Sequence, residues 1–438
     1  MKNRCLLLLL ITLLVIPSAV DAKVIKVKPG KKLQKVINKA APGDTLFLRE
    51  GIYTTKPITK IDTLCGNCLE EVVPHLITIG FYIDKPLHLI GESRTGTILK
   101  TGAGYGIFFD GARMGTIENL TITGGVRDTV ELATDGGVVA RNTELKVCKL
   151  NIIGNDDLAD GVVVGICGVV GREGSNIRIE GCVIAENGWD GVALYRGARA
   201  FIIGNMIRDG RGAGVGITWD AVAEVRANEI HHYWKGIGTF GTSTAVVQDN
   251  IVRDLRGWGI VATGESVMDC SHNIIARTGN CGFSIWSEEA KGRFINNVVF
   301  RAGREEEWIC PRVGVWWNGP DDAFEAHHNV VWGSEEESWR RSYWDDDPAG
   351  DSTEPLENMV VPSDTAWNGI YCEVDPLYNN PELNDFRPTS ESPLLKNGIH
   401  SGHPGNMGPV DIGLRSGAYK LIDRAREVDP GKPVINDD

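Results

Sequence analysis

Between residues 161 and 331 one short pattern returns with a nearly fixed period. Gly followed by an apolar residue recurs at Gly191-Val192, Gly214-Val215, Gly236-Ile237, Gly259-Ile260 and Gly282-Phe283, at steps of 23, 22, 23 and 23 residues. Asn followed by apolar residues keeps the same beat at Asn205, Asn228, Asn250, Asn273 and Asn296-Asn297. A period between about 20 and 50 residues restricts the chain to a solenoid, a propeller or an array. Each unit holds short runs rich in Val and Ile, cut by Gly, Asn, Asp or Arg, with no helical stripe long enough for a crossover helix. Leucine-rich, ankyrin and tetratricopeptide units are thereby excluded. Three short strands per turn, each paired in parallel with its equivalent one coil later at about 4.8 Å, predict an all-β, single-stranded right-handed parallel β-helix with coils of about 22–24 residues. The asparagines are expected at a repeated bend, where Asn tolerates left-handed backbone and its amide bonds the copies above and below. The glycines are expected where a side chain would crowd the neighbouring backbone.

A solenoid lengthens one core indefinitely, so 438 residues predict one long domain. Lys2 and Arg4, an apolar run from Leu6 to Ile16 and small residues ending Val20-Asp21-Ala22 form the three-part pattern of a secretory signal (1–22) cleaved near Ala22. The mature chain, 23–438, is therefore expected outside the cytoplasm, secreted or periplasmic. Leu33, Val36, Ile37 and Ala40 fall on one face of a short helix that would cap the open core within the first segment, 23–60. A Cys-containing insertion at 61–75 precedes the regular coils of 76–302. Residues 303–378 break the rhythm with charge and Trp, and 379–438 form a closing segment and tail. No later stretch reaches the roughly 18 apolar residues of a membrane span. A net charge of −13 argues against nucleic acid and anionic membrane as partners. A monomer is expected.

Cys148, Cys167 and Cys182 lie in strand and bend regions and are expected as small buried apolar residues. Cys65 and Cys68 form a CxxC in a polar insertion, open to a disulfide, a redox pair or half of a metal site. Without a second CxxC or a His pair at finger spacing, an exported chain favours the disulfide. Cys310 and Cys372 flank a long insertion and are candidates to staple it, a pairing the sequence does not decide.

At its two ends the chain resembles secreted proteins of the pectin-lyase-like, right-handed β-helix superfamily. Leu33 to Tyr53, LQKVINKAAPGDTLFLREGIY, is similar to the opening these proteins share, and His88 to Leu99, HLIGESRTGTIL, to their next rung. Asp375 to Leu395 and Gly408 to Gly413, GPVDIG, resemble the closing segment of β-helix polysaccharide lyases and uncharacterised relatives. The resemblance implies the fold, and it is weak for activity, because lyases, hydrolases, epimerases and proteins without a known reaction share these ends. The Asp-Pro-His-Ser motif of alginate epimerases does not occur here. Of the motifs of pectin-degrading hydrolases only the paired acid, Asp156-Asp157, has a counterpart, so no catalytic residue carries over by motif.

The core of such a coil is filled, which confines function to an outer face or to loops. Alternation sends Val192, Val215, Ile237, Ile260 and Phe283 inward. Three residues further along, the column Tyr195, Thr218, Phe240, Thr263 and Trp286 then points outward. Trp189, Trp219, Trp234, Trp258 and Trp316 lie close to the same strip. Flat rings in a row match the apolar faces of pyranose rings, so the strip is expected to hold a polysaccharide unless loops fold over it. Just before each repeated Gly stand Asp160, Asp190, Ala213, Lys235 and Trp258. Asp160 and Asp190 are expected as neighbours across one strand spacing, sharing a proton or a cation. Asp156 and Asp157 add oxygen ligands of the kind Ca²⁺ accepts, against the alternatives of a solvated acidic bend and a glycosidase acid pair. A lyase acting on a uronate needs a cation for the carboxylate and a base for the adjacent proton. Lys235, Arg196, Tyr195, His231 and His232 are the candidates for those roles on or beside this face. The expected function is polysaccharide binding with lyase or hydrolase chemistry. Its rival is a non-catalytic extracellular or envelope binding protein. A copper-delivery role ranks last, because Met-rich or His-rich tracts are lacking.

Overall fold

In a computed structural model the protein is described at residues 22–130, 132–155, 158–159, 162–163, 165–305, 311–318, 324–341, 370–372, 374–398 and 410–431. The chain winds through three parallel sheets of twelve strands each, and successive strands of a sheet come from successive coils. The first sheet runs from Val24–Val27 to Phe324–His327, and the second from Gly51–Thr54 to Ile370–Cys372. The third begins with the antiparallel hairpin Ile58–Asp62 and His75–Ile83 and continues in parallel to Trp339–Arg341. Pairings such as Arg199 with Val222, Val222 with Thr244 and Thr244 with Val267 repeat the 22- and 23-residue steps of the sequence. One apolar core, filled by inward residues such as Val192, Leu194, Val215 and Ile237, extends from Val27 to Trp339. Helix α1 (Leu33–Lys39) buries Leu33 and Ile37 in its first layer. Helix α2 (Ser416–Glu427) packs Ala418, Ile422 and Ala425 on the outside of the second sheet.

Inside one corner the asparagines form a continuous ladder. The side-chain amide of Asn205 donates to Asn228 Oδ1 at 2.9 Å, and the chain continues through Asn250, Asn273, Asn297 and Asn329 at 2.9–3.1 Å. Each of these residues is completely buried. They do not themselves take the left-handed backbone expected of them. The preceding residue does, at Gly204 (φ 64), Ala227 (φ 51), Asp249 (φ 58) and His272 (φ 57). An inward amide must face its copies in the next coil, so the turn falls to its neighbour. The repeated glycines are sterically required: a Cβ on Gly191 would lie 2.6 Å from the Gly214 carbonyl and 2.4 Å from Ile207.

The insertion in the first coils is joined by the Cys65–Cys68 disulfide. It is anchored to the outer face of the third sheet by Arg172, whose guanidinium meets Asp62 at 3.1 Å, Tyr105 Oη at 2.6 Å and Thr134 Oγ1 at 2.7 Å. Cys148, Cys167 and Cys182 are buried free thiols. Residues 1–21 of the expected signal segment (1–22) and Cys310 lie outside the described residues, and Cys372 ends a described strand. Among the described residues no helix is long and apolar enough to cross a membrane.

Candidate functional site

Parallel pairing carries every side chain to the same place one coil later, so a groove on this surface is built from columns. Two columns of the third sheet line one cavity of about 700 Å³. The first is Asp190, Ala213 and Lys235, aligned by the pairing of Val192 with Val215 and of Ala213 with Lys235. The second is Tyr195, Thr218 and Phe240, with the bare backbone of Gly216 between the two. Trp189, 42% exposed, and Arg211 stand at one side of the cavity, the guanidinium 5.5 Å from the indole ring. Asn67 of the disulfide loop forms part of the opposite side.

Ala213 leaves the gap. Asp190 and Lys235 sit two coils apart, about 10 Å along the sheet, and the small residue between them lets both reach the same space. Asp190 Oδ1 accepts the Ala213 backbone N–H at 2.6 Å. Its carboxylate occupies room that only glycine provides, since a Cβ on Gly212 would come within 2.0 Å of Oδ1 and one on Gly216 within 3.1 Å of Oδ2. Enclosure raises the Asp190 pKa to about 6, against the opposing pull of the Ala213 amide and Lys235. Burial lowers the pKa of Lys235, and the nearby Asp190 charge offsets part of that shift. Lys235 Nζ lies 4.6 Å from the Phe240 ring centroid and 5.8 Å from that of Trp258. A carboxyl group and an amine displaced toward neutrality in one groove can exchange protons with a bound ligand. Tyr195 is buried and its hydroxyl is held well above its ordinary pKa, which keeps it protonated and unsuited to act as a phenolate base.

Several expected site residues stand elsewhere. Arg196 donates Nε to the Cys65 carbonyl at 3.2 Å and Nη2 to the Cys68 and Leu69 carbonyls, and it caps Trp219 at 4.9 Å. It holds the disulfide loop in place, and Trp219 lies beneath it. Trp258, Trp286 and Trp316 pack edge to face at 5.2 and 5.0 Å, and Trp316 is only 2% exposed. These rings cover one another instead of facing a ligand, because adjacent rungs place bulky side chains within contact. His231 and His232 turn to the corner between the second and third sheets, where His232 Nδ1 meets Asp209 Oδ1 at 2.7 Å. Asp156, Asp157 and Asp160, the expected calcium ligands, lie outside the described residues. Val169 pairs with Val192, which places Cys167 beside Asp190. The antiparallel pair Leu158–Ala159 and Val162–Val163 precedes that rung.

Arg211, Arg256, Asn67 and Gly216 also line the cavity and were not singled out by the sequence reading. Arg-Gly-x-Gly occurs at Arg211 to Gly214 and again at Arg256 to Gly259, and this repeat marks both arginines.

Residues 149–299 match the family described as right handed beta helix region. No curated protein matches the chain. Similar solved structures include pectate lyase Pel9A, at 13% identity over 89% of this chain and 95% of that one, with a TM-score of 0.48. Others are the periplasmic alginate epimerase AlgG, at 15% over 76% and 74% with 0.45, and a mannuronic acid specific polysaccharide family 6 lyase from human gut microbiota, at 11% over 74% and 92% with 0.34. The chain has the fold of a parallel β-helix wound through three sheets, and residues 149–299 match the right handed beta helix region.

Proposed function

We propose that the groove between Asp190 and Lys235 binds an acidic polysaccharide and cleaves it by β-elimination. The observation that carries this reading is the pairing of a carboxyl group raised to about 6 with an amine of lowered pKa across an aromatic-edged cavity. Trp189 offers a flat apolar face to a sugar ring. Arg211 supplies the positive charge that a uronate carboxylate requires before the carbon beside it can lose a proton. Lys235, as the neutral amine, takes that proton. The electron pair forms the new carbon–carbon double bond, the bond to the glycosidic oxygen breaks, and that oxygen takes a proton from the Tyr195 hydroxyl or from protonated Asp190.

The test is incubation of residues 23–438 with uronate and neutral polysaccharides, with and without calcium, following absorbance near 235 nm and reducing ends together. Unsaturated product, lost at least 100-fold in Lys235→Ala, is the expected result. Reducing ends without absorbance would replace elimination by hydrolysis at Asp190. Retention of a polysaccharide with neither signal would leave a non-catalytic binding protein.

A further inference from the structure

A second cluster of chemically capable side chains lies at the corner between the second and third sheets, separate from the lining of the groove. The pairing of Arg208 with His231 brings Asp209 beside His232, one coil apart in the same corner. His231 Nδ1 and His232 Nδ1 face each other at 3.1 Å, with the ring planes at 86° and the centroids 4.6 Å apart. Asp209 Oδ1 is 2.7 Å from His232 Nδ1, and the three ligand atoms lie within 4.8 Å of one another.

We propose that Asp209, His231 and His232 form a binding site for a divalent transition metal of the zinc class. Ligand atoms around a tetrahedral ion with bonds of about 2.0–2.1 Å stand about 3.3 Å apart. The two imidazole nitrogens, 3.1 Å apart, are already close to that spacing. Two imidazoles and one carboxylate select zinc, nickel or copper over calcium and magnesium, which take oxygen ligands. The ligands are held from behind: Arg208 Nη1 donates to Asp209 Oδ2 at 2.6 Å, leaving Oδ1 turned to the cluster. The neighbouring guanidinium charges are matched, Arg208 by Glu186 and Asp429 as well as Asp209, and Arg253 by Glu229 and Asp254. A cation therefore does not enter an unbalanced positive field. His231 is buried while the His232 side chain is 54% exposed, so the site is anchored on one side and open to solvent on the other. Three protein ligands with an open side leave a position for water or for a ligand oxygen. Asp209 is two residues from Arg211, which places the ion beside the groove.

The experiment is equilibrium dialysis of tag-free protein, residues 23–438, against Zn²⁺, with Co²⁺ absorption as the report on ligand geometry. One equivalent of Zn²⁺ and the intense visible bands of tetrahedral Co²⁺ are expected. Affinity should fall at least 10-fold in His232→Ala and in Asp209→Asn. The exposure of His232 lets its variant be checked for an unchanged far-UV spectrum and melting temperature. No binding by the wild type, or an equivalent retained in both variants, would overturn the proposal and leave the cluster as a hydrogen-bonded corner.

Discussion

Asp190→Asn should make the protein more stable at neutral pH. The substitution keeps the shape, and the amide oxygen can still accept the Ala213 N–H that Asp190 Oδ1 holds at 2.6 Å. What changes is the charge. The folded protein raises this pKa from 3.8 to about 6, so the native state holds its proton more tightly than the unfolded chain does. That advantage is fully present below pH 3.8, shrinks as pH rises and is gone above about 6. Relative to a neutral side chain, the ionised carboxylate then costs ~1.4 kcal/mol for each pH unit between the two values, or ~3 kcal/mol. The attraction of Lys235 for the carboxylate is already included in that value. Urea unfolding followed by Trp fluorescence at pH 4, 6 and 7.5 reads the effect directly. The two proteins should be nearly equal at pH 4, with the variant ahead by as much as ~3 kcal/mol at pH 7.5. Parallel stability profiles, or a variant less stable at pH 7.5, would refute the claim that the groove strains this carboxylate.

Three further outcomes follow from other parts of the molecule. Asn228→Ala removes the acceptor of the Asn205 N–H and the donor to the Ile202 carbonyl, all within the core. It should cost ~3 kcal/mol in urea unfolding, since each orphaned buried group costs about 1–3 kcal/mol. Trp189→Ala should weaken polysaccharide retention on an affinity gel about 5-fold, the equivalent of one ring contact worth ~1 kcal/mol, without altering the melting temperature. Arg196→Ala releases the carbonyls of Cys65, Cys68 and Leu69. Limited proteolysis should then cut between residues 62 and 71 at least 10-fold faster, while an unchanged rate would show that the disulfide and Arg172 hold the loop without Arg196.

The coil was legible because its markers are local. Gly191 and Asn205 recur in register with their copies, and each is required by a contact to the next coil, the Gly214 carbonyl and Asn228 respectively. The outward column from Tyr195 to Phe240 was legible for the same reason. What covers a column was not, since Asn67 and the carbonyls that bind Arg196 come from a loop more than 120 residues earlier. That Cys167 stands beside Asp190 was not legible either, because a short antiparallel pair precedes that rung without disturbing the composition. The meeting of His231 and His232 with Asp209 was not legible, because it depends on two left-handed residues, Asp209 (φ 56) and His232 (φ 57), whose turns bring both side chains to the same place. Asp and His both favour such turns, but nothing in either residue says that the two turns will meet.

The column Asp190, Ala213, Lys235 makes the sheet a ruler. The separation of the acid from the amine is fixed by two steps of hydrogen-bonded backbone, and it is insensitive to how the core below is packed. A solenoid can therefore change what it grips by exchanging one letter on a rung, lengthening or closing the span in increments of a single strand spacing. The scaffold offers specificity in whole steps, and the alanine at the middle rung is the setting that holds this groove open.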